Sequence, residues 1–80
     1  MLRRSRVAKA FGKVLREHRK AKGLSQEDLA AECEFDRTYP SLLERGLRTP
    51  TLTVLFSIAK NLAVGADQLV DETLEELKRS

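Results

Sequence analysis

Residues 25–45 constrain the fold of this chain more than any other stretch. They read SQEDLAAECEFDRTYPSLLER, a pattern that predicts two short helices joined by a tight corner. Ser25 is a favourable N-cap, and Asp28 three residues later approximates a capping box with an acidic first turn. The first helix of this pair is therefore expected from Gln26 to about Cys33.

The corner falls at residues 34–35, and the second helix of the pair is predicted over residues 37–45. Asp36 is the expected cap of this helix, and Gly46 is the expected stop signal. Pro40 would then occupy the fourth helical position, where its ring crowds the preceding turn. A distorted first turn is therefore expected.

The length of 80 residues bounds the architecture, because a chain of this size supports one hydrophobic core. We expect residues 1–80 to form a single domain. Four Gly, two Pro and almost no alternating β pattern favour an all-α fold. No apolar run approaches the roughly 20 residues of a membrane span, and no secretory signal is recognisable, so a cytoplasmic location is expected.

Three further helices are predicted around the central pair. A helix over residues 7–22 has one apolar face and ends at Gly23, which is expected to take a left-handed conformation. A helix capped by Thr51 follows the loop that ends at Pro50, and a last helix covers residues 66–79. The predicted inner face of the Thr51-capped helix consists of Leu52, Leu55, Ile58, Ala59 and Leu62.

Catalytic and metal-binding chemistry have little support in the sequence. Cys33 is the single cysteine, which excludes an internal disulfide and a cysteine-rich zinc site, and His18 has no partner at metal-ligand spacing. Packing in the core is the simpler interpretation of both side chains. The sequence shows no nucleophile–base pair, carboxylate dyad or phosphate-binding Gly loop, so we expect no enzyme activity, metal, cofactor or small-molecule ligand.

Charge is distributed unevenly along the chain. Residues 1–22 carry nine Arg or Lys against a single Glu, a balance of +8, whereas residues 23–80 carry six basic and eleven acidic side chains, a balance of −5. A basic amino-terminal region suits a polyanionic partner, and a solvated basic helix is the alternative interpretation.

Two segments carry a family resemblance, LREHRKAKGLSQEDLA and DRTYPSLLERGLRTPTLTVLFSIAKNLAV. Over about Phe11 to Val70 the chain resembles the lambda-repressor-like, Xre/Cro family of helix-turn-helix regulators, including the small controller proteins of restriction-modification operons. This resemblance implies a five-helix lambda-repressor-like DNA-binding domain whose helix-turn-helix consists of helices 2 and 3. The chain departs from the family pattern at four positions, which are His18, Glu34, Pro40 and Ala63.

In such a domain the third helix enters the major groove of DNA and the second lies across the phosphates. If Pro40 and Leu43 point inward, helical spacing places the intervening side chains on an outward face. The expected base-reading residues are Arg37, Thr38, Ser41 and Leu42, and for the hydroxyls of Thr38 and Ser41 a phosphate is the alternative partner. Arg37 can donate two hydrogen bonds to a guanine, while for Leu42 a thymine methyl contact competes with a core or dimer contact.

Contacts to the DNA backbone are expected from Gln26, Tyr39, Arg45, Arg48 and Thr49. For Tyr39, packing beside Pro40 is an equal alternative to a phosphate contact. Residues 1–6 are expected to form a basic arm, in which Arg3, Arg4 and Arg6 are candidate DNA contacts or belong to a frayed, solvated terminus. The family resemblance also implies an ion pair between Arg19 and Glu44 that braces the first helix against the third.

A homodimer is expected, because one small domain contacts few base pairs. The predicted interface lies along the fifth helix, at Leu69, Val70, Leu74 and Leu77, with Leu62 beside it; the alternative is that these side chains complete the monomer core. The expected function is that of a transcriptional regulator that binds a pseudo-palindromic operator in double-stranded DNA. Two alternatives are an antitoxin, which binds DNA and a partner protein, and a pure interaction scaffold.

Overall fold

The structure, a computed structural model, describes residues 3–79. In this part of the chain five α-helices and no strand are found, which confirms the predicted all-α fold. The helices are α1 (Arg4–Ala21), α2 (Gln26–Cys33), α3 (Tyr39–Glu44), α4 (Leu52–Leu62) and α5 (Ala66–Arg79). Among these residues no helix is both long and apolar enough to cross a bilayer.

One hydrophobic core lies between the helices. α5 packs on α1 and α4, while α3 packs on α1 and α2. Side chains with no exposed surface at the centre of this core come from all five helices: Leu15, Leu29, Leu43, Ile58, Leu62 and Leu69. Apolar burial of this kind contributes roughly 1.5–3 kcal/mol for each large side chain and is the main force that holds the helices together.

α1 begins at Arg4, three residues before the predicted start, so the expected basic arm is wrong for residues 4–6. Arg3 is the N-cap in an extended conformation, and its carbonyl accepts hydrogen bonds from the backbone N–H groups of Arg6 and Val7. The Arg6 guanidinium also donates to the Leu77 carbonyl at 3.2 Å. This contact with α5 accompanies the part of α1 that precedes residue 7, where the predicted apolar pattern begins. The predicted arm residues 1–2 lie outside the described part.

α3 begins at Tyr39 rather than at residue 37, and this corrects the predicted role of Asp36. Pro40 falls at the first turn, where its missing N–H requires no partner, so the helix accommodates it. The Asp36 carboxylate does not cap α3, because it instead accepts hydrogen bonds from the backbone N–H and the hydroxyl of Thr38. Pro40 and Leu43 are both buried, as predicted.

The corner between α2 and α3 adopts a left-handed conformation at a non-glycine residue. Glu34 has φ 57°, and Ala63 after α4 has φ 56°. Such a conformation costs roughly 1–2 kcal/mol for each residue that carries a Cβ. At the Glu34 corner, the N–H of Phe35 donates to the Ala30 carbonyl at 2.8 Å, which offsets part of that cost. Gly23 adopts the predicted left-handed conformation with φ 72°.

The predicted inner face of α4 is confirmed except at Leu52. The other four predicted positions are buried, but Leu52 is 69% exposed. Leu52 is the first residue of the helix, and helical side chains tilt toward the N-terminus. Its side chain therefore projects past the end of the core rather than into it.

Candidate nucleic-acid interface

The start of α2 is fixed by a capping box between Ser25 and Asp28. The Ser25 hydroxyl accepts from the Asp28 backbone N–H at 2.9 Å, and the Ser25 backbone N–H donates to the Asp28 carboxylate at 3.0 Å. Hydrogen bonding of the Asp28 carboxylate to the Ser25 backbone N–H, and then to the Ser25 side chain, holds the pKa of Asp28 below its usual value. The capping predicted from sequence is thus present, and it orients the first turn of α2.

A buried ion pair holds α1 against α3, as the family resemblance implied. Arg19 Nε lies 2.6 Å from Glu44 Oε2 and Arg19 Nη2 lies 3.0 Å from Glu44 Oε1, with side chains only 9% and 4% exposed. Arg19 Nη1 also donates to the Leu24 carbonyl at 2.7 Å. Hydrogen bonding to Glu44 raises the pKa of Arg19. Gln26 Nε2 donates to Glu44 at 3.1 Å, so one network positions α1, α2 and α3.

Gly12, which is not among the residues predicted from the sequence, allows α1 to approach the end of α3 closely. A Cβ at this position would lie 2.5 Å from the Leu43 carbonyl oxygen and 2.7 Å from the Glu44 carbonyl oxygen. Ala8, one turn earlier, is also buried. Two small residues four positions apart were the available signal for a close helix crossing.

A groove of about 480 Å³ runs between the first turn of α2 and the exposed side of α3, and we call it the α2–α3 groove. Its lining residues are Arg19, Ser25, Gln26, Glu27, Arg37, Thr38, Ser41, Leu42 and Arg45. The four predicted base-reading residues therefore lie together, beside two of the predicted backbone contacts. Arg37 is 83% exposed, and its guanidinium lies 3.9 Å from the Glu27 carboxylate, which sequence reasoning did not single out.

The hydroxyl of Thr38 is already hydrogen-bonded within this groove region. Thr38 Oγ1 donates to Asp36 Oδ1 at 2.7 Å, and the Thr38 backbone N–H donates to the same oxygen at 2.9 Å. These two bonds, led by the one from the hydroxyl, hold the pKa of Asp36 below its usual value. Asp36 was predicted only as the cap of α3. The structure instead places its carboxylate beside Thr38, in the predicted site.

Tyr39 lies outside the groove. It is half-buried and packs edge-on against the ring of Phe35, with ring centroids 5.2 Å apart. The Tyr39 ring thus packs against Phe35, and the contact of Tyr39 with a phosphate stays a prediction. Leu42 is half-buried in the groove wall and is not one of the core residues.

Arg48 and Thr49 are exposed and line a separate, polar depression next to the start of α1. Arg4 and Ser5 form the opposite wall of this depression. The folded chain therefore brings one of the arm residues beside the two predicted backbone contacts. We call Arg4, Ser5, Arg48 and Thr49 the basic corner.

The predicted dimer interface on α5 requires a correction. Leu69 has no exposed surface, and Leu62 is buried with it, so both belong to the monomer core. Val70 and Leu74, which are 52% and 48% exposed, lie farther around the helix, and Leu77 is half-buried. The exposed apolar surface continues onto α4, and we call Leu52, Phe56, Val70 and Leu74 the apolar face.

Cys33 and His18 take part in packing and in contacts between helices. The buried Cys33 thiol lies 4.0 Å from the Ser57 carbonyl, and burial raises the pKa of this thiol. His18 Nε2 lies 2.7 Å from Glu72 Oε1 and joins α1 to α5. Across residues 3–79 no group of three or more His, Cys, Asp or Glu side chains is placed to hold a metal ion.

Proteins similar to this chain include restriction-modification controllers. The control protein C.BamHI of Bacillus amyloliquefaciens is 44% identical over 64 residues, which cover 79% of this chain and 79% of that protein. The structure of the restriction-modification controller protein C.AhdI from Aeromonas hydrophila has a TM-score of 0.75 and 42% identity, and covers 78% of this chain and 94% of its own. The controller protein C.Esp1396I, solved as a tetramer in complex with its natural 35 base-pair operator, has a TM-score of 0.77 and 34% identity over 89% of this chain and 93% of its own.

A family model described as Helix-turn-helix (HTH_3) matches residues 15–69, more than half of the chain. The matched segment starts within α1 and ends within α5, so it contains the whole of α2 and α3. The chain therefore belongs to the Xre-like helix-turn-helix family.

Proposed function

We propose that this protein is a transcriptional regulator that binds a specific double-stranded DNA sequence as a homodimer on a pseudo-palindromic operator. The observation that carries the proposal is the α2–α3 groove, in which the exposed side chains of Arg37 and Thr38 and the half-buried side chains of Ser41 and Leu42 lie beside the capped start of α2. A controller protein of similar structure was solved on its operator. The relatives described above are named as controller proteins, so the antitoxin alternative is not favoured.

Base reading is assigned chiefly to Arg37. Its guanidinium is 83% exposed and contacts the exposed Glu27 carboxylate at 3.9 Å. A surface ion pair of this kind is weak, so the guanidinium can leave this partner for a base. A guanidinium offers two parallel donors that match O6 and N7 of guanine in the major groove, which contributes roughly 1–3 kcal/mol of discrimination between bases. Ser41 and Leu42 extend the reading surface along α3.

Contacts to phosphates are assigned to the two ends of the same surface. Gln26 stands at the first position of α2, where backbone N–H groups and the helix dipole favour an anion. Arg45 lies at the far end of the groove, and Arg48, Thr49 and Arg4 in the basic corner reach the neighbouring strand. Such contacts fix the register of the protein on DNA without reading sequence.

The homodimer is assigned to the apolar face. Four large apolar side chains, each about half exposed or more, lie side by side there on α4 and α5. Two copies joined through this face would present two grooves to half-sites roughly 34 Å apart. A regulator of this kind acts where the DNA is, which in bacteria such as those of the named relatives is the cytoplasm.

The test is selection of binding sites from random duplexes, followed by affinity measurements over a salt series. We expect a pseudo-palindromic site and an affinity that falls steeply with salt. Arg37→Ala should lose the preference for one base in each half-site, whereas Gln26→Ala and Arg48→Ala should weaken binding nearly uniformly across sequences. Arg16→Ala, which removes an exposed charge of α1 outside both surfaces, is the matched control and should keep the parent affinity to within about threefold.

Two results would contradict the proposal at different levels. An Arg37→Ala protein that keeps the parent base preference would remove the assignment of base reading to this residue. A parent protein with no preference above general attraction to polyanions would remove the regulatory function and favour an interaction scaffold.

A further inference from the structure

We propose that Asp36 sets the hydrogen-bonding polarity of Thr38, so that the Thr38 hydroxyl acts only as an acceptor and selects a base with an exocyclic amino group. This inference rests on the proposed function and names the chemistry of one contact within it. The bases concerned are adenine, through its N6 amino group, and cytosine, through its N4 amino group. Thr38 is thus a specificity-determining residue and Asp36 is its positioning residue.

The direction of the Thr38–Asp36 hydrogen bond is not ambiguous. An ionised carboxylate has no proton to donate, so the 2.7 Å bond between Thr38 Oγ1 and Asp36 Oδ1 uses the single proton of the hydroxyl. Asp36 stays ionised at neutral pH, because the bonds from Thr38 hold the pKa of the carboxyl below its usual value. The Thr38 oxygen therefore keeps two lone pairs and no donor for an outside partner.

The same oxygen of Asp36 also holds the backbone. Asp36 Oδ1 accepts from the Thr38 N–H at 2.9 Å, so the two bonds together fix both the main chain and the side-chain rotamer of Thr38. Hydrogen bonds to a charged acceptor are stronger than those between neutral groups. The hydroxyl is consequently not free to rotate its proton toward each base it meets.

This polarity decides between the two partners that a threonine hydroxyl could have at this position. A phosphate oxygen accepts hydrogen bonds only, so a hydroxyl without a free proton cannot serve it, and the Asp36 charge repels phosphate as well. In the major groove the only donors on base edges are the amino groups of adenine and cytosine. An acceptor-only Thr38 therefore selects adenine or cytosine against guanine and thymine.

Four proteins test this inference by binding-site selection: the parent, Thr38→Val, Asp36→Ala and Asp36→Asn. Thr38→Val should flatten the preference at one base pair in each half-site, by roughly two- to tenfold, and so identify the position that Thr38 reads. Asp36→Ala frees the hydroxyl proton and should flatten the same position. Asp36→Asn keeps an amide oxygen at the place of Oδ1 and should retain the preference, while binding all sequences more tightly because a negative charge is lost.

The outcomes separate this inference from the proposed function. If the parent selects a site but Asp36→Ala retains the adenine or cytosine preference, or Thr38→Val alters no position, the inference is wrong and the function stands. If Asp36→Asn loses the preference as Asp36→Ala does, charge rather than acceptor geometry is responsible, and the inference is again wrong. A parent without any base preference contradicts the function itself. Should Asp36→Ala fail to fold by thermal unfolding, the contrast between Thr38→Val and Asp36→Asn decides the matter.

Discussion

At the scale of single residues, the side chains of Arg19 and Glu44 are charged in a place from which water is almost excluded. Removal of one partner from a buried pair leaves the other charge without compensation. We predict that Glu44→Ala lowers the free energy of unfolding by about 3–5 kcal/mol, measured by urea denaturation at neutral pH. The variant also removes the acceptor of the Gln26 amide, so operator affinity should fall even under conditions where the protein is folded.

The matched control for this prediction is Glu75→Ala. Glu75 lies 3.6 Å from Lys78, but both side chains are largely exposed, so the pair is expected to contribute about 0–1 kcal/mol. An equal loss of stability in the two variants would show that burial of the Arg19–Glu44 pair is not what makes it important.

Asp28 supplies a pH-dependent contribution at the start of α2. The Ser25 bonds lower the pKa of Asp28 in the folded protein, so folding favours the ionised carboxylate. This contribution is present above the ordinary aspartate pKa of 3.8 and is lost as the pH falls through the lower folded value. Asp28→Asn should therefore lower the melting temperature at neutral pH, and the difference from the parent should shrink in acid.

Glu32→Gln is the control for the acid titration, since it removes an exposed carboxylate from the same helix. Over a pH series, the difference in melting temperature between Glu32→Gln and the parent should change less than the difference between Asp28→Asn and the parent. If the melting temperature of Asp28→Asn stayed below that of the parent by the same amount from neutral pH into acid, the capping carboxylate would not act through its charge.

At the scale of helices, the crossing of α1 and α3 depends on Gly12. Replacement of a helical glycine by alanine ordinarily stabilises a protein by roughly 0.5–1 kcal/mol. Here the added Cβ would meet two carbonyl oxygens of α3 at 2.5 and 2.7 Å, so the helices must separate. We therefore predict that Gly12→Ala lowers the free energy of unfolding by about 1–3 kcal/mol, measured by chemical denaturation.

The control is a comparison of Arg16→Ala with Arg16→Gly, at an exposed position of α1. There the alanine variant should be more stable than the glycine variant by about 1 kcal/mol. If alanine also proved the more stable residue at position 12, the close approach of α1 to α3 would be incorrect.

The helices that were predicted accurately have strong local signals. α2 begins after Ser25 because the capping box is a property of four consecutive residues, and the bounds of α5 follow from its acidic first turn and basic last turn. The starts of α1 and α3 were missed because they depend on contacts with other parts of the fold. α1 is extended by α5, and α3 is shortened by the turn that Asp36 forms with Thr38.

Periodicity predicted which face of a helix is apolar, but not how far the core covers it. Leu69 and Val70 are adjacent in sequence and point about 100° apart, so one is buried and the other lies at the surface. The outward side of α3 was predictable because Pro40 and Leu43 had to face inward. The proximity of Arg4 to Arg48 was not predictable, because it depends on how the start of α1 passes the loop after α3.

At the scale of the whole molecule, the groove and the apolar face belong to different parts of the fold. α3 packs on α1 and α2, whereas α5 packs on α1 and α4. Pairing through α4 and α5 therefore leaves the α2–α3 groove accessible to DNA. Asp67 and Asp71 border the apolar face, while Arg4 at the start of α1 adds positive charge beside Arg48 in the basic corner.

This separation predicts that dimerisation and DNA contact can be disrupted independently. Phe56→Lys and Leu74→Lys place a charge in the apolar face, and we expect both to sediment as a 9.0 kDa monomer at micromolar concentration, while the parent sediments as a dimer. Leu47→Lys, at an equally exposed leucine outside the face, should remain dimeric.

The monomeric variants should bind a half-site as the parent monomer does but lose the added affinity for the two-fold site, because one bound copy no longer holds the second near its half-site. A parent protein of strictly 9.0 kDa at these concentrations would remove the homodimer from the proposal, and dimeric Phe56→Lys and Leu74→Lys proteins would place the interface elsewhere.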